Sequence, residues 1–535
     1  MCLELSWVLG AGKRYNSITM NRRTTLCFLL LLGALLRCAS TPLDPAELVP
    51  TVQGKAVSVM FGANRQGETD PCGCVLNQNG GLERFANLVY KKKVERAGRP
   101  LLLVDSGDTF FSAPQLNPRR IQESLAKAEA IAKSYRLMGL DVMTPGERDL
   151  ALGVATLKSL ESLSGATLVS ANLVDQTGKK IFVENTIWSK DGVRVGIFGI
   201  ADPDSFIGPS EVQVQPWKPV AESQVQQLKR EKVDFIIVLS HLGLSLDREL
   251  AAIPGIDFIA GSHSQDVTAV WEKNTAIGQP HPQGHQVGWL QLNHSGPAST
   301  EFKLLDLDKS YDGKNQVSEI LEALTAVIGK SAVSDLPQHF KASSDRPYVA
   351  HAFTCRGCHQ PQYDFWAKTK HASAYLVLYS KNQHFNPECI ACHSLGFEQP
   401  GGFSAIAAPV VVKEKKGSSS PFIESWMKTV FGAETKKGPL DSRLQPERHQ
   451  KLHRNYQREL AKLEAAGKVS KWHIGVQCEH CHGNRNGHPG PSAVTAKKVS
   501  EKACLQCHVP PNAPSFDPSN INRVACPLMK KKTHH

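Results

Sequence analysis

Past residue 40 this chain has no apolar run long enough to cross a bilayer, which excludes a polytopic membrane protein. Blocks of like charge are missing as well. The formal net charge is +12, but Lys and Arg are spread along the chain, without the clustered patch that a nucleic-acid binder presents. Such a surface suits acidic partner proteins or an anionic membrane face. Cysteine totals 14, yet it is scarce where a disulfide framework would need it. Eight cysteines fall in one repeated motif and Cys2, Cys27 and Cys38 lie near the N-terminus, which leaves Cys72, Cys74 and Cys526. Methionine is short too: after residue 340 only Met427 and Met529 occur. The rest is ordinary. A chain 41% hydrophobic and 21% charged is that of a soluble globular protein, and 535 residues allow two to four domains.

The N-terminus holds a second start. Met20-Asn-Arg22-Arg23, then the apolar run Leu26 to Leu36, make a basic n-region and a short h-region. Residues 1–40 read as an export signal with Met20 as the true start and cleavage after Ser40. Alternatively, Leu35-Leu-Arg-Cys38 resembles a lipoprotein box, with Arg37 where a small residue is expected, and a lipid on Cys38 would anchor the protein to a membrane.

The repeated motif is Cys-x-x-Cys-His. It occurs as Cys355-Arg-Gly-Cys358-His359, Cys389-Ile-Ala-Cys392-His393, Cys478-Glu-His-Cys481-His482 and Cys504-Leu-Gln-Cys507-His508. This spacing attaches c-type haem: two thiols on one short turn add to the two vinyl groups of a porphyrin, and the following His reaches the iron. Four haems are expected, with His359, His393, His482 and His508 as proximal ligands. Such haem is attached outside the cytoplasm in bacteria, in agreement with an export signal. Each iron takes a sixth ligand, and His is abundant where Met is scarce, so bis-His ligation is expected. His371, His473 and His488 are the first distal candidates, followed by His351 and His384. His449 and His453 share a helical face but sit in a basic polar segment, and read as solvent-exposed. His480 lies inside a motif and is a poor ligand.

From 41 to 340, apolar runs alternate with helical periodicity. Val57–Phe61, Pro100–Val104, Ala166–Ser170, Val193–Ile200, Val233–Leu239 and Ile256–Ala260 read as strands. Residues 81–93, 121–138 and 219–232 read as helices, His285 to Asp308 as closing strands, and 316–328 as a last helix. The alternation predicts a layered α/β domain with buried sheets. Polar residues follow the strand ends, where such folds place their sites: Asp105-Ser-Gly-Asp108, Gly146-Glu147-Arg148-Asp149, Ser240-His241 and Gly261-Ser-His263-Ser-Gln265. Singly, each is more often a loop cap or a satisfied His. In this order, Asp, Glu and His suit a Mn, Fe or Zn ion.

That order, with Gly80-Gly-Leu-Glu-Arg84 and Ser170-Ala-Asn-Leu173, resembles the calcineurin-like metallophosphatase superfamily, nearest its 5′-nucleotidase branch, over roughly 55–310. The resemblance implies a two-metal hydrolase site, and the departures argue against one. Asn64-Arg-Gln66 stands where the family has Asp-x-His, Glu147-Arg148-Asp149 where it has Asn-His-Glu, and Ser262-His263-Ser-Gln265 where it has Gly-His-x-His. One metal position keeps Asp108, Glu147, His241 and His263. The other keeps little beyond Asp108, and Arg148 cannot replace the general-acid His, because it does not shuttle a proton near neutral pH. A degenerate domain with at most one transition-metal ion is expected. Pro71-Cys72-Gly-Cys74 follows the eroded first motif. A disulfide across one residue is strained, so Cys72 and Cys74 read as structural thiols, a redox pair, metal ligands or partners of Cys526.

In the second half, Trp366-x4-His371-Ala, Cys389-x-x-Cys-His-Ser-Leu-Gly-Phe397 and Gly475-Val-Gln-Cys-Glu-His-Cys-His-Gly483 resemble the tetrahaem cytochrome c-554 family over about 350–516. The resemblance implies closely packed haems that pass electrons. It is interrupted at about 400–470 by an insertion with a flexible loop, Lys413 to Ser420, and a basic, solvated helix at 447–466. The whole reads as residues 1–40 export signal, 41–340 a metallophosphatase-like α/β domain, and 341–535 a mostly α or irregular multihaem domain. The expected role is periplasmic electron transfer between redox partner proteins, without nucleic acid. The alternatives are a haem reductase of a small nitrogen or sulfur oxyanion, and a phosphate or thiosulfate ester hydrolase coupled to the haems.

Overall fold

A computed structural model describes residues 55–71, 78–95, 100–293, 301–334, 352–381, 383–397, 399, 402–403, 409–413, 420–437, 440, 445–483, 499 and 501–508. The export signal, Cys38, Cys72, Cys74, Cys526, His351, His488 and most of the loop after Lys413 lie outside the described residues, as does the proposed boundary at 340/341.

Two six-stranded sheets build the first half. The first is ordered β14-β13-β1-β2-β3-β4, with β1 Ala56–Gly62, β2 Leu101–Asp105, β3 Val142–Met143, β4 Thr167–Leu168, β13 Gln286–Asn293 and β14 Phe302–Asp306. The second is ordered β11-β12-β10-β9-β7-β6, with β6 Asn185–Lys190, β7 Val193–Ala201, β9 Phe235–His241, β10 Phe258–Gly261, β11 Thr268–Glu272 and β12 Thr275–Gln279. A small ribbon, β5 Leu173–Val174 with β8 Gln213–Val214, lies beside them. The central strands run parallel, β1 with β2 and β7 with β9 with β10. Both faces of such strands are covered, so β2 and β9 are buried throughout, with unbroken apolar runs up to Asp105 and Ser240 rather than alternation.

Strand alternation shows which face meets what. Val57, Val59 and Phe61 of β1 share a cluster with Ile197, Ile237, Leu239 and Phe258, so the two sheets pack face to face. Met60, Leu101 and Leu103 point the other way, onto α1 (Leu82–Glu95), α2 (Ile121–Met138) and α3 (Gly153–Ser164). Phe198, Ile200, Ile236 and Val238 meet α4 (Trp217–Arg230) and α5 (Leu244–Leu250). The result is a four-layer α/β/β/α domain with loops gathered at the carboxyl ends of the parallel strands. The α/β fold class expected from the sequence is correct.

The second half begins after α6 (Gln316–Ser334) and is mostly short helices: α7 Ala352–Arg356, α8 Gln360–Ala367, α9 Tyr375–Ser380, α10 Pro387–His393, α11 Ser420–Phe431, α12 Pro446–Ala465, α13 Cys478–His482 and α14 Glu501–Cys504. One two-stranded ribbon, β15 Val410–Val412 with β16 Val469–Trp472, joins them. Here the expectation for 400–470 needs correcting. Ile423, Trp426, Met427 and Val430 of α11 and Leu452, Tyr456 and Leu460 of α12 form much of the second core, with Tyr375, Leu376 and Ile390. The helix at 446–465 is therefore amphipathic and packed, not solvated: its buried positions recur every three or four residues. Ala130 of α2 and Leu324 and Ile328 of α6 belong to the same cluster, and the chain from Lys55 on groups as one compact unit. Among the described residues no helix is long and apolar enough to cross a membrane.

Candidate functional site

Four loops at the strand ends converge on one buried cluster. Glu147, His241 and His263 each offer a ligand atom, all within 4.8 Å of one another. His241 Nε2 lies 2.7 Å from Glu147 Oε2 and 3.6 Å from Asp108 Oδ1, and His263 Nδ1 lies 3.3 Å from Glu147 Oε1. The structure thus brings together Asp108, Glu147, His241 and His263, the four residues singled out from sequence.

The supporting shell sets the tautomer of His241. Its Nδ1 faces the carbonyl of Ser106 at 3.1 Å and Ser262 Oγ at 2.5 Å, while Ser262 donates to that same carbonyl. The proton therefore sits on Nδ1, and Nε2 faces the two carboxylates. Burial opposes a charge on His241, but Asp108 and the hydrogen bond to Glu147 outweigh it and push the imidazole up to about 9. Burial likewise opposes a charge on Glu147, and its contacts with His241 and His263 win, holding the carboxyl well below the usual range. Without an ion, then, a proton on His241 does the neutralising.

Three observations fit a metal ion here. His263 Nδ1 is buried and makes no well-aligned hydrogen bond, its one close contact being Glu147 Oε1 at 3.3 Å. Any side chain at Gly146 would collide with the Asp108 carboxylate and the His241 ring. Eight described non-glycine residues have positive φ, and Asn64, Gln66, Asp108 and His263 are four of them, so strain is concentrated at this centre. One carboxylate and two imidazoles, with Asp108 alongside, is a donor set for zinc, iron or manganese.

The eroded positions are occupied rather than vacant. Asn64 Oδ1 accepts the backbone N–H of His263 and Asn64 Nδ2 donates to Ser264 O at 3.1 Å, so it ties two loops together. Arg148 Nε bonds Asp108 Oδ2 at 2.8 Å, its backbone N–H bonds Asp108 Oδ1 at 3.0 Å, and its guanidinium also reaches Ser112 O. Asp149 accepts four backbone N–H bonds, from Asp108, Thr109, Phe110 and Gly146, at 2.8–2.9 Å. It shapes the loop and holds no ion. Sequence reasoning missed Ser106 and Ser262; a Ser after each strand end was their only signal.

In the second half, each Cys-x-x-Cys-His lies on a helical turn that puts both thiols and the His on one side. His359 N–H bonds Cys355 O at 2.9 Å, and His508 N–H bonds Cys504 O at 2.8 Å. None of the eight cysteines is in a disulfide. The Cys355 thiol lies within hydrogen-bonding reach of Cys478 and that of Cys392 within reach of Cys507, so the first motif adjoins the third and the second adjoins the fourth. His393 Nδ1 donates to Ala374 O at 2.9 Å, which leaves Nε2 as the ligating nitrogen. These residues fit covalent haem.

Of the distal candidates, His371 stands opposite His508 with ring centroids 6.1 Å apart. A haem attached at the fourth motif would find His508 and His371 placed to hold it between them, and would supply one-electron chemistry there. Burial and the neighbouring His508 keep His371 neutral, with its pKa down to about 4. His384 packs against Tyr379 and Phe385, and its Nδ1 is buried without a partner. His473 is buried beside the second motif, its carbonyl accepting from Leu395. His480 is committed: Nε2 faces Ser394 O and Nδ1 accepts from Gln477 N–H. His449 and His453 are not solvent-exposed as expected. His449 is 4% exposed, and His453 Nδ1 bonds Ser373 Oγ at 2.8 Å.

Comparison with known proteins finds likenesses to two groups. Residues 354–414 match the family model "Cytochrome c554 and c-prime". "Protein 5NUC" of Lutzomyia longipalpis is 30% identical over 196 residues, covering 35% of this chain and 32% of that protein. A 5′-nucleotidase of Vibrio cholerae is 27% identical over 194 residues, covering 32% of this chain and 34% of its own. Among solved structures, a 5′-nucleotidase precursor from Thermus thermophilus aligns with a TM-score of 0.46 and 20% identity over 56% of this chain and 61% of that one. The chain spans about a third of the length of these curated relatives.

Proposed function

Taking the chain as a fusion of a 5′-nucleotidase-like, calcineurin-like metallophosphatase domain with a cytochrome c554-like domain, we propose that it is an exported, periplasmic electron-transfer protein. Four covalently held haems carry the electrons, and the α/β domain serves as a scaffold or partner surface that holds a single metal ion. The observation that carries this reading is the set of four Cys-x-x-Cys-His turns, with His371 facing His508. Haem supplies reversible one-electron chemistry at iron. The chain's part is to fix each porphyrin through two thiols, to set the ligating tautomer, as Ala374 does for His393, and to shield the irons within an apolar core. The basic surface would guide acidic redox partner proteins to it. A lipid on Cys38 would tether the protein to the membrane.

The test is a pyridine haemochrome count with spectroelectrochemistry of the full-length protein. Four haems that reduce reversibly and stay low-spin are expected. A high-spin iron that turns over a nitrogen or sulfur oxyanion would replace this reading with a reductase.

One observation favours a second reading. Glu147, His241 and His263 keep a ligand set for one ion, and a metal-assisted ester hydrolysis could use it. At that site Arg148 neutralises Asp108 and offers no proton to a leaving group, so the expected phosphate and thiosulfate ester turnover of the metal-loaded protein is negligible. Turnover that falls with Glu147→Gln would establish the hydrolase.

A further inference from the structure

The loop that leaves Asp108 and runs to α2 borders a cavity of about 170 Å³, which the proposed function does not use. None of Asp108, Glu147, His241 and His263 lines it. Phe110 and Phe111, both buried in the first core, give it an apolar side. Gln66 and Ser112 border it as well, and the turn into α2 adds Arg120, Glu123, Ser124 and Lys127. The cavity touches both halves of the protein. Gln66 N–H bonds Asp108 O at 2.8 Å, and Ser112 O accepts from the Arg148 guanidinium, so one end abuts the loops of the metal cluster. Arg120 lies 5.9 Å over the ring of Phe397, just past the His393 motif.

Charge and size decide what such a cavity can hold. Its lining has two cations and one carboxylate. Glu123 and Lys127 pair at 3.5 Å, each side chain 11% exposed, and so offset one another. The charge of Arg120 remains, fixed in place by its stacking on Phe397. A guanidinium matches the oxygens of a carboxylate or oxyanion. The half-buried side chains of Gln66 and Ser124 make no hydrogen bond among the described residues, so they have donors to give. Gln66 also has a φ of +58°, a conformation that a non-glycine residue keeps only where its surroundings impose it. A cavity of about 150 Å³ takes a molecule the size of benzene, whereas drug-sized ligands occupy pockets of roughly 300 Å³ or more. A nucleotide is therefore too large.

We propose that this cavity binds one small oxygen-bearing anion of about four to six heavy atoms, an inorganic oxyanion or a short carboxylate. Arg120 supplies the charge, and Gln66 and Ser124 supply hydrogen bonds. The anion sits between the loops of the metal cluster and the second haem motif.

The test is isothermal titration calorimetry of the full-length haem-loaded protein at low ionic strength. Chelator is present, so that no anion is held through an ion at the metal cluster. Sulfate, thiosulfate and acetate are titrated in turn, with chloride at matched ionic strength as the control. One of the three should bind saturably, one per chain, where chloride does not. Arg120→Ala should weaken it by at least about ten-fold, the worth of a charge-assisted hydrogen bond. Ser124→Leu keeps Arg120 and its contact with Phe397 but fills the space, and should abolish binding. It decides the matter alone if Arg120→Ala fails to fold. Sulfate or thiosulfate preferred to acetate assigns an inorganic oxyanion, and the reverse a carboxylate. No saturable binding to the wild type, or binding that either folded variant leaves unchanged, overturns the proposal.

Discussion

Replacing Arg148 by Ala should make the metal-free protein less stable and its affinity for a divalent ion higher. The Arg148–Asp108 pair is 2.8 Å long, with the Asp side chain 1% and the Arg side chain 24% exposed. Breaking a fully buried pair costs about 3–5 kcal/mol, because it strands one charge. Arg148 is partly solvated, and Asp108 Oδ1 keeps its bond from the residue 148 backbone and its neighbour His241. The loss should then be about 2 kcal/mol. The ion sees the opposite effect. Deleting a unit positive charge about 6 Å from a divalent ion, at an effective dielectric constant of about 40, removes roughly 2–3 kcal/mol of repulsion, or on the order of 100-fold in affinity. Asp108 Oδ2 is released as a ligand at the same time. Thermal unfolding by far-ultraviolet circular dichroism, with chelator and then with Mn or Zn, reads both effects. The variant should melt below the wild type without metal and recover, or exceed it, with metal. Equal melting in chelator together with unchanged affinity would refute the account of Arg148 as the charge that fills the eroded half of the site.

Glu147→Gln should cut metal affinity at the metal cluster by at least about 100-fold, measured by metal content after dialysis. His371→Ala should convert one haem to high spin, seen by electron paramagnetic resonance, with haem content unchanged. Leu452→Ala in α12, a fully buried core position, should cost about 2–5 kcal/mol; a loss under about 0.5 kcal/mol would mean that the helix is peripheral after all. Stability should also rise with pH between about 4 and 6.5 on account of His449. Burial, with Lys370 and His453 beside it, holds its folded pKa down to about 4. Across that window the unfolded chain binds the extra proton, so acid favours unfolding by on the order of 2 kcal/mol, and His449→Asn should flatten the slope.

Much of the first half was legible because buried parallel strands announce themselves as unbroken apolar runs, as Phe235 to Leu239 does. The helix read at 121–138 matches the observed one. What escaped were elements whose signal is relational. The strand β6, Asn185–Lys190, is half-exposed and polar, and exists through its register with β7. Ligand residues at strand ends could be named because topology gathers those ends. That Arg148 would fold back onto Asp108 could not be read, since it depends on loop geometry that Asp149 sets. In the second half, spacing alone revealed the haem turns. The segment 446–465 misled because its charges outnumber a narrow stripe of Leu452, Tyr456 and Leu460, which becomes visible once Trp472 and Trp426 are seen against it. His449 was misjudged for the same reason.

The sharing of one apolar cluster by α2, α6 and the haem-bearing half bears on how such a protein is made and inherited. Ala130, Leu324 and Ile328 find their neighbours across the join, so neither half is a freestanding module. A chain cut near 340 would bare that patch on both pieces, and recombination that exchanged one half would have to preserve the other's surface. Biogenesis is bound in the same way. Anything that leaves the Cys-x-x-Cys-His half unfinished would leave Ala130 of α2 and Leu324 and Ile328 of α6 without their neighbours, so the packing of the metallophosphatase-like half depends on the other half being complete.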